Sequence, residues 1–320
     1  MGLCSCTVSV SIGSSIFKLK TMTTVARPSV SIFVLTYNAE RYIVETLESL
    51  LSQDYPNYEI FISDDASTDR TPEILEDFRA RHPDKMRLYL QPVNLGITNH
   101  CNFLLQKVTG DYVCFVGGDD LLEPNCLSRA VDCAMESGAS IVFHLHQTIN
   151  SEGALLSRAG NFSTPHSGTL DDFVRKGVYT HANGMLVNAK HLPPEGFDAS
   201  MPYASDFDFI LQVLRDGRRF YALPEYLSSY RKHERSITAT RAYECNMDTI
   251  KAYEKLYRIQ GVNKKLLAVT ISNLQRAVRK YDTADRYGYW LRTSLSTNPR
   301  NYKSLFALVV STLTFGKLKL

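Results

Sequence analysis

The strongest structural signal in this chain is the stretch Val30-Ser31-Ile32-Phe33-Val34-Leu35-Thr36-Tyr37-Asn38. From Val30 to Thr36 the residues are almost all apolar or β-branched, which is typical of a parallel strand that is covered on both faces. The stretch then turns polar at Thr36, Tyr37 and Asn38. Because ligands of open parallel sheets bind at the carboxyl ends of the strands, these three residues are candidates for a binding site.

Strand and helix signals alternate along the rest of the chain. The predicted strands that follow are Tyr58–Ser63, Met86–Leu90, Tyr112–Val116 and Ser140–Leu145. Apolar residues at helical spacing lie between them, and Thr71-Pro72 predicts a helix with Thr71 as its cap. Helices are also predicted near 123–136, at 205–215 and within about 242–294. This alternation predicts an α/β fold in which helices flank a mostly parallel sheet.

The composition limits the class of protein. The 320 residues are 44% hydrophobic and 22% charged, as expected for a globular protein of one large domain or two smaller ones. The formal net charge of +3 is too small for a nucleic-acid-binding protein. Seven cysteines without a C-x-x-C pair indicate reduced thiols of a cytoplasmic protein rather than a zinc site.

The two ends of the chain give weaker signals. Residues 1–27 are predicted to be a disordered N-terminal extension, since they lack the long apolar middle of a signal peptide. No apolar run reaches the roughly 20 residues that cross a bilayer. The apolar stretch Leu305 to Phe315 is flanked by lysines, which suits a helix on a membrane surface and equally a docked core helix. Peripheral association with the inner face of the membrane is therefore an alternative expectation.

Two acidic pairs follow predicted strands. Asp64 and Asp65 are placed to accept hydrogen bonds from a nucleotide base or a ribose. Helix capping by Asp69 with a solvated acidic turn is the equally weighted alternative. Asp119 and Asp120 follow Gly117-Gly118. Transfer of a sugar from a nucleotide requires neutralisation of the departing diphosphate, which Mn²⁺ or Mg²⁺ on one or two carboxylates provides. The alternative for this second pair is a tight turn that caps the next helix.

Two further polar segments complete the candidate site. Asp206 and Asp208 lie at the start of a predicted helix, and displacement at a sugar carbon needs one carboxylate as a general base. Asp206 is preferred because it lies nearer the loop, and a helix cap is the alternative. The segment from Tyr230 to Ser236 contains Arg231 and His233, whose cationic groups suit a diphosphate. Completion of the metal shell by His233 is an alternative, and a structural or solvated histidine is the commoner case.

Taken together, these residues resemble glycosyltransferase family 2, the inverting group with the GT-A fold. The resemblance covers about residues 28–240. The matching segments are Val30–Asn38, Ser63–Thr71, Asn94-Leu95-Gly96 with Asn102, Gly110-Asp111-Tyr112, Gly196-Phe197-Asp198 with Asp206-Phe207-Asp208, and His233 with Ser236. The resemblance implies a Rossmann-like GT-A domain over 28–240, followed by a helical C-terminal region over 241–320.

The resemblance also implies a role for each matching residue. Contacts with a nucleotide-sugar are implied for Thr36, Tyr37, Asn38, Asp64, Asp65, Asn94, Gly96, Asp119 and His233. Among these, Tyr37 and Asp65 would hold the base, Asp119 would approach the ribose, and His233 would lie near the diphosphate. Asp120 would bind Mn²⁺ or Mg²⁺. Asp206 would be the catalytic base of a single displacement with inversion.

Three positions depart from the family pattern. Gly118 stands where the first aspartate of a D-x-D triplet is usual, Cys101 replaces an arginine, and Ser205 replaces a glutamate. The expected activity is transfer from a UDP- or dTDP-type donor to a glycan or lipid-linked acceptor. The departures leave a catalytically silent sugar-nucleotide-binding or partner-binding domain as the alternative. An oxidoreductase is disfavoured because no G-x-G-x-x-G follows the first strand.

Overall fold

The computed structural model describes residues 27–160, 162–176, 182–234, 241–281 and 287–313. Residues 1–26 of the predicted N-terminal extension lie outside these ranges, as do Ser236 and the last residues of the apolar stretch that ends at Phe315. The described chain has a large mixed sheet that is mostly parallel, with helices packed on it. The predicted α/β fold class, including its helical C-terminal extension, is confirmed.

The strands of this sheet are β1 (Val30–Thr36), β2 (Tyr58–Asp64), β3 (Met86–Leu90), β4 (Tyr112–Gly117), β5 (Leu121–Leu122), β6 (Ile141–Ile149), β7 (Leu155–Ala159), β8 (His166–Gly168), β9 (Leu186–Asn188) and β10 (Phe220–Arg231). Their order within the described residues is β3-β2-β1-β4-β9-β6-β10-β5, with β7 beside β6 and β8 beside β10. Strand β1 pairs in parallel with both β2 and β4, so it lies at the centre of the parallel half. Strand β9 runs antiparallel to both β4 and β6 and connects this half to β6 and β10. Strand β5 pairs antiparallel with β10 at the end of this order.

The described helices are α1 (Ile43–Leu51), α2 (Thr71–Arg81), α3 (Ile97–Leu105), α4 (Cys126–Ser137), α5 (Leu170–Lys176), α6 (Ser205–Val213), α7 (Ala242–Tyr257), α8 (Lys264–Val278), α9 (Tyr287–Thr297) and α10 (Tyr302–Leu313), with a 3₁₀ turn at Ala189–His191. The helical signal across 242–294 corresponds to α7, α8 and α9. Gly261, at a φ of 79°, lies in the turn that separates α7 from α8. Within the ranges given above, no helix has the length and hydropathy needed to cross a bilayer.

Helix α2 begins where predicted but is capped differently. Its N-cap is Arg70, whose side chain makes no cap bond, and Asp69 Oδ1 accepts a hydrogen bond from the N–H of Thr71 at 2.9 Å. The Thr71 hydroxyl accepts instead from the N–H of Ala39 at 2.8 Å. The prediction of Thr71 as the cap is therefore wrong, because its hydroxyl is used to fasten α2 to the loop that follows β1.

Apolar side chains pack on both faces of the sheet. Alternate residues of β1 divide between the faces, so that Ile32 belongs to the core shared with α1, α2 and α4, while Phe33 belongs to the other core. This second core also contains Tyr253 of α7, Leu267 of α8 and Trp290 of α9. Burial of one such side chain stabilises a protein by about 1.5–3 kcal/mol. The C-terminal helices therefore form a layer on the sheet and share its core.

Candidate active site

Neighbouring strands end at one edge of the sheet and bring the predicted polar residues together. Thr36, the last residue of β1, is in register with Asp64, the last residue of β2. On the other side of β1, Leu35 is in register with Gly117, the last residue of β4. The loops that follow these three strands therefore share the carboxyl edge, which is the usual place for ligands in a parallel sheet.

The loop after β1 is hydrogen-bonded to the loop after β2. Thr36 Oγ1 donates to Asp64 Oδ1 at 2.8 Å, and Asp64 Oδ2 accepts from the N–H of Ser67 at 2.8 Å. Asn38 lies in the left-handed region at a φ of 50°. It donates its N–H to Ser67 Oγ at 2.7 Å and accepts at Oδ1 from the N–H of Thr68 at 2.8 Å. The side chains of Thr36, Asn38 and Asp64 thus build the frame of this edge.

Asp65 fixes the loop that leads into α3. Its Oδ1 accepts from the N–H of Leu95 at 2.7 Å, and its Oδ2 accepts from the N–H of Gly96 at 3.0 Å. Asn94 Nδ2 donates in return to the carbonyl oxygen of Asp65 at 3.1 Å. The structure therefore brings Asp65, Asn94 and Gly96 into mutual contact, with Asp65 only 3% exposed. Tyr37, by contrast, is 54% exposed and presents its ring to solvent.

The two aspartates after β4 have different environments. Asp120 is 5% exposed, and its Oδ1 accepts from the N–H of Arg231 at 2.8 Å. Burial and the neighbouring Asp119 carboxylate raise the pKa of Asp120 well above its usual range. Asp119 is more exposed, and its Oδ2 lies 2.9 Å from His233 Nε2. The pair does not cap α4, which begins only at Cys126, so the helix-cap alternative is wrong.

The two glycines before this pair face different neighbours. A Cβ on Gly117 would lie 2.9 Å from Asp119 Oδ1 and 3.0 Å from Asp120 Oδ2, so both carboxylates fold over that residue. A Cβ on Gly118 would instead meet Thr36 Cγ2 at 2.7 Å. A side chain at position 118 would therefore point at β1. Position 117, and not position 118, is therefore the one that faces the Asp119-Asp120 pair.

The Asp119-Asp120 pair suits a small divalent cation in its donor chemistry. Mn²⁺ and Mg²⁺ prefer oxygen ligands, and Mg²⁺ often takes one or two protein carboxylates with phosphate oxygens beside them. Oxygens of both side chains converge above Gly117. Asp120 Oδ2 accepts no hydrogen bond from the described residues, so it retains its full capacity as a ligand. In the same part of the chain, no group of three or more His, Cys, Asp or Glu side chains is arranged to hold a metal.

Arg231 is buried against the back of this turn. Its Nε donates to the carbonyl oxygen of Asp119 at 2.9 Å, and its Nη2 pairs with Glu45 Oε2 at 2.6 Å. Its Nη1 also donates to the carbonyl oxygen of Asn150 at 3.3 Å. With the side chain 1% exposed, the expectation that Arg231 serves a diphosphate is wrong. Arg231 instead ties the turn to α1 and β10, a role that its place in a run of charged residues did not indicate.

His233 contacts Asp119 and Tyr42. Its Nε2 lies 2.9 Å from Asp119 Oδ2, and its ring stacks on Tyr42, with centroids 5.2 Å apart and an interplanar angle of 26°. The guanidinium of Arg231 lies 5.0 Å from the centroid of the same Tyr42 ring. The structure therefore brings His233 into contact with Asp119. A carboxylate on one ring nitrogen sets the tautomer and orientation of an imidazole.

Asp206 lies in the first turn of α6 but does not cap it, since the N-cap is Ala204. Its Oδ1 accepts from the N–H of Phe207 at 2.8 Å, and its side chain reaches solvent. The protein walls around it still desolvate the carboxylate and raise its pKa. An accessible carboxylate with a raised pKa has the properties of a general base. Beside it, Thr98 Oγ1 of α3 lies 3.4 Å from Ser205 Oγ, which connects the two helix starts.

Helix α7 supports α6 from the C-terminal region. Lys255 Nζ lies 2.8 Å from Asp208 Oδ2 and 2.8 Å from Asp198 Oδ2. Asp248 Oδ2 accepts from the N–H of Tyr203 at 3.0 Å, just before α6. Asp208 is fully buried in this ion pair, so Asp206 is the carboxylate of α6 that faces solvent. The partners of Lys255 are 47 and 57 positions away in sequence, which is why no local motif pointed to it.

Two residues of α3 give the site an unusual neighbourhood. His100 is 2% exposed beside Asp65, and burial lowers its pKa. Its Nε2 has no hydrogen-bond partner in the part of the chain that the structure describes. Cys101, which stands where the family pattern has an arginine, has its pKa raised to about 12 by burial and, to a lesser degree, by Asp206. The surroundings of Asp206 therefore include a neutral thiol where the family pattern has an arginine.

Comparison with known proteins places these features in a family context. Residues 31–189 match the family described as Glycosyl transferase family 2. The putative glycosyltransferase EpsE of Bacillus subtilis is 29% identical over 213 residues, covering 64% of this chain and 73% of EpsE. The putative teichuronic acid biosynthesis glycosyltransferase TuaG of the same organism is 28% identical over 218 residues, covering 67% of this chain and 83% of TuaG.

Solved structures show the same fold. TarS 1–349 of S. aureus, in complex with UDP-GlcNAc, superposes with a TM-score of 0.67 at 18% identity over 84% of this chain and 81% of that one. The mannosyltransferase PcManGT of Pyrobaculum calidifontis, in complex with GDP-Man and Mn²⁺, superposes with a TM-score of 0.58 at 20% identity over 90% and 87%. These likenesses show that the chain has the GT-A type of fold that its motifs implied.

Proposed function

The chain belongs to glycosyl transferase family 2, and on that premise we propose that it moves a sugar from a UDP- or dTDP-type donor to a glycan or lipid-linked acceptor. The proposed reaction is a single displacement with inversion, assisted by Mn²⁺ or Mg²⁺. The observation that carries the proposal is the convergence of the Asp119 and Asp120 carboxylates over Gly117 at the carboxyl edge of the sheet. His233, held on Asp119, adds a nitrogen donor at the same edge.

The donor would lie along the carboxyl ends of β1, β2 and β4. The exposed ring of Tyr37 is available to stack on a nucleotide base. Each carboxylate oxygen of Asp65 can accept a second hydrogen bond, which a base N–H would supply. Asp119, at the other end of this edge, would approach the ribose. TarS and PcManGT hold UDP-GlcNAc and GDP-Man, which supports the class of donor.

The residues at the diphosphate end would hold a divalent cation. Asp120 would be its main ligand, because its free Oδ2 is buried and its charge is costly without a cation. A bound Mn²⁺ or Mg²⁺ would neutralise the diphosphate as it leaves. Arg231 fixes the turn through the backbone of Asp119 and the carboxylate of Asp120, so the ligand would be held in place before the donor arrives. The Mn²⁺ present with PcManGT supports this choice.

Asp206 would act as the general base. Its carboxylate would take the proton from an acceptor hydroxyl while that oxygen forms a bond to the anomeric carbon. The bond from that carbon to the diphosphate breaks at the same time, with the electron pair leaving on the phosphate oxygen. Because attack and departure occur on opposite faces, the sugar inverts. The raised pKa of Asp206 brings its basicity closer to that needed at neutral pH.

The alternative of a silent domain rested on Gly118 and Ser205, and the structure gives both a packing role. Gly118 lies so close to Thr36 that a Cβ would not fit, and Ser205 is buried beside Thr98. Neither position interrupts the arrangement of Asp119, Asp120 and Asp206. We therefore favour the enzyme over the silent domain.

A panel of sugar nucleotides screened by thermal shift with Mn²⁺ tests the proposal. At least one UDP- or dTDP-sugar should raise the melting temperature in proportion to its binding, and excess chelator should remove the effect. The Asp120→Asn variant should lose most of this shift, whereas Asp77→Asn on the exposed side of α2 should keep it. Stabilisation by no member of the panel, or full stabilisation of the Asp120→Asn variant, would contradict the proposal.

A further inference from the structure

Helix α10 turns its large apolar side chains outward. The exposed fractions are 72% for Tyr302, 51% for Leu305, 64% for Phe306, 45% for Val309 and 74% for Leu313. Residues at this spacing share one face of an α-helix. A helix on the surface of a globular protein normally buries such a face, whereas α10 exposes it.

The inner side of α10 is small and polar. Ser304 and Ala307 are its buried residues. The hydroxyls of Ser304 and Ser294 are 2.8 Å apart, and Asn301 Nδ2 donates to Ser272 Oγ at 2.8 Å. This network joins α10 to α8 and α9 through buried polar groups. The helix therefore cannot rotate to bury its apolar face without leaving buried polar groups unpaired, which costs about 1–3 kcal/mol for each group.

Cations line the apolar face on one side. Arg276, Arg279 and Lys303 surround a cavity of about 680 Å³, which is completed by Tyr302, Phe306 and Ala307. Among the residues that the structure describes, no acidic side chain lines this cavity. The buried Nε of Arg276 donates to no group within the described ranges. An anionic group with oxygen acceptors would complement this cavity.

The charge of the whole C-terminal region has the same sign. Residues 241–320 contain 15 Lys and Arg against 5 Asp and Glu, whereas residues 1–240 contain 21 against 28. No acidic residue follows Asp285, and the sequence beyond α10 continues with Lys317 and Lys319. A basic region with an outward apolar face is the pattern of a helix that lies in the interface of an anionic membrane.

We propose that the outward face of α10 docks on the surface of an anionic lipid bilayer. Leu305, Phe306 and Val309 would enter the boundary between headgroups and acyl chains, while Arg276 and Lys303 would contact lipid phosphates. A second copy of the chain is a poorer occupant, because a symmetric contact would bring the same cationic rim against itself. The proposal concerns a surface separate from the sugar-transfer site and does not depend on that activity.

Sedimentation of the full chain with lipid vesicles tests this surface. The protein should bind vesicles of phosphatidylcholine mixed with phosphatidylglycerol and bind pure phosphatidylcholine far less. Replacing Leu305→Ser and Phe306→Ser together should weaken binding by on the order of tenfold or more. Removing charge with Arg276→Gln and Lys303→Gln should weaken binding about fivefold for each cation, and added salt should have the same effect.

Matched variants distinguish binding through this surface from nonspecific hydrophobic adsorption and from the effects of misfolding. Leu155→Ser with Leu156→Ser removes two leucines of similar exposure on β7 and should leave vesicle binding unchanged. Arg276→Lys with Lys303→Arg keeps the charge and should also bind. Absence of binding to the mixed vesicles would overturn the proposal. So would equal binding to both lipid compositions, or a dimer in solution that the Phe306→Ser change dissociates while vesicle binding persists.

Discussion

The turn at Asp119-Asp120 is the proposed donor side of the site and the start of α6 at Asp206 is its proposed base side, and the two are held in different ways. The turn is fixed by backbone hydrogen bonds to its neighbours, with Gly118 donating to Leu35 and Arg231 donating to Asp120. The start of α6 is fixed by side-chain contacts with α3 and α7. The donor side is thus part of the sheet itself, whereas the base side depends on helices that pack on it. Substitutions should therefore affect the two sides in separable ways.

Loss of the base should give the largest effect. Asp206→Asn keeps the shape of the side chain but removes its ability to accept a proton, so kcat for transfer should fall by about 10²–10⁴-fold. Donor binding, measured by thermal shift with Mn²⁺, should stay unchanged because the turn at Asp119-Asp120 is intact. Transfer at the original rate would remove Asp206 from its role, and a parallel loss of donor binding would show that the two sides are not separable.

A methyl group at Gly117 should act on the donor side alone. In Gly117→Ala the new Cβ displaces the flexible ends of Asp119 and Asp120, so the metal affinity should fall by about 10–100-fold while the fold is retained. The Mn²⁺ concentration for half-maximal activity measures this change. Gly288→Ala, where nothing lies within 4 Å of the new Cβ, is the matched control. An unchanged Mn²⁺ requirement in Gly117→Ala would show that the convergence of the two carboxylates has no role in metal binding.

The same contrast explains what the sequence predicted. Strand β1 and the polar residues after β1, β2 and β4 were predictable, because a buried strand and the turn that follows it are contiguous in sequence. The direction in which a side chain at position 118 would point was not predictable, since it depends on Thr36 in a neighbouring strand. The burial of Arg231 and the reach of Lys255 to Asp208 also depend on partners that only the folded chain brings close.

Lys255 should have a moderate effect that is confined to the base side. Lys255→Met leaves Asp208 buried without its cation, which should lower the stability by about 1–3 kcal/mol and let the first turn of α6 shift. We expect kcat to fall by roughly tenfold, with the Mn²⁺ requirement and donor affinity unchanged. Lys255→Arg should restore most of the activity. Lys251→Met is the control, because it removes an ion pair to Asp248 Oδ1 within the same helix and leaves the hydrogen bond from Tyr203 to Asp248 Oδ2 in place.

An equal loss of kcat in Lys251→Met and Lys255→Met would mean that α7 acts only through general stability. A loss of donor affinity in Lys255→Met would mean that α7 also holds the donor side. Either result would contradict the view that the sheet holds the donor side while the packed helices hold the base.

The smallest expected effect is in the pH dependence of the rate. Desolvation raises the pKa of Asp206, and its protonated form cannot accept a proton, so kcat/KM should fall as the pH drops through a value above that of an exposed aspartate. Asp206→Glu, if it retains measurable turnover, should move this limb upward by roughly 0.4 units because glutamate is the weaker acid. Donor binding should show no such movement, since Asp206 makes no hydrogen bond to Asp119 or Asp120. If the acid limb of the kcat/KM profile stays at the same pH in Asp206→Glu, the group that titrates belongs to the turn at Asp119-Asp120. The pH dependence would then no longer distinguish the base side from the donor side.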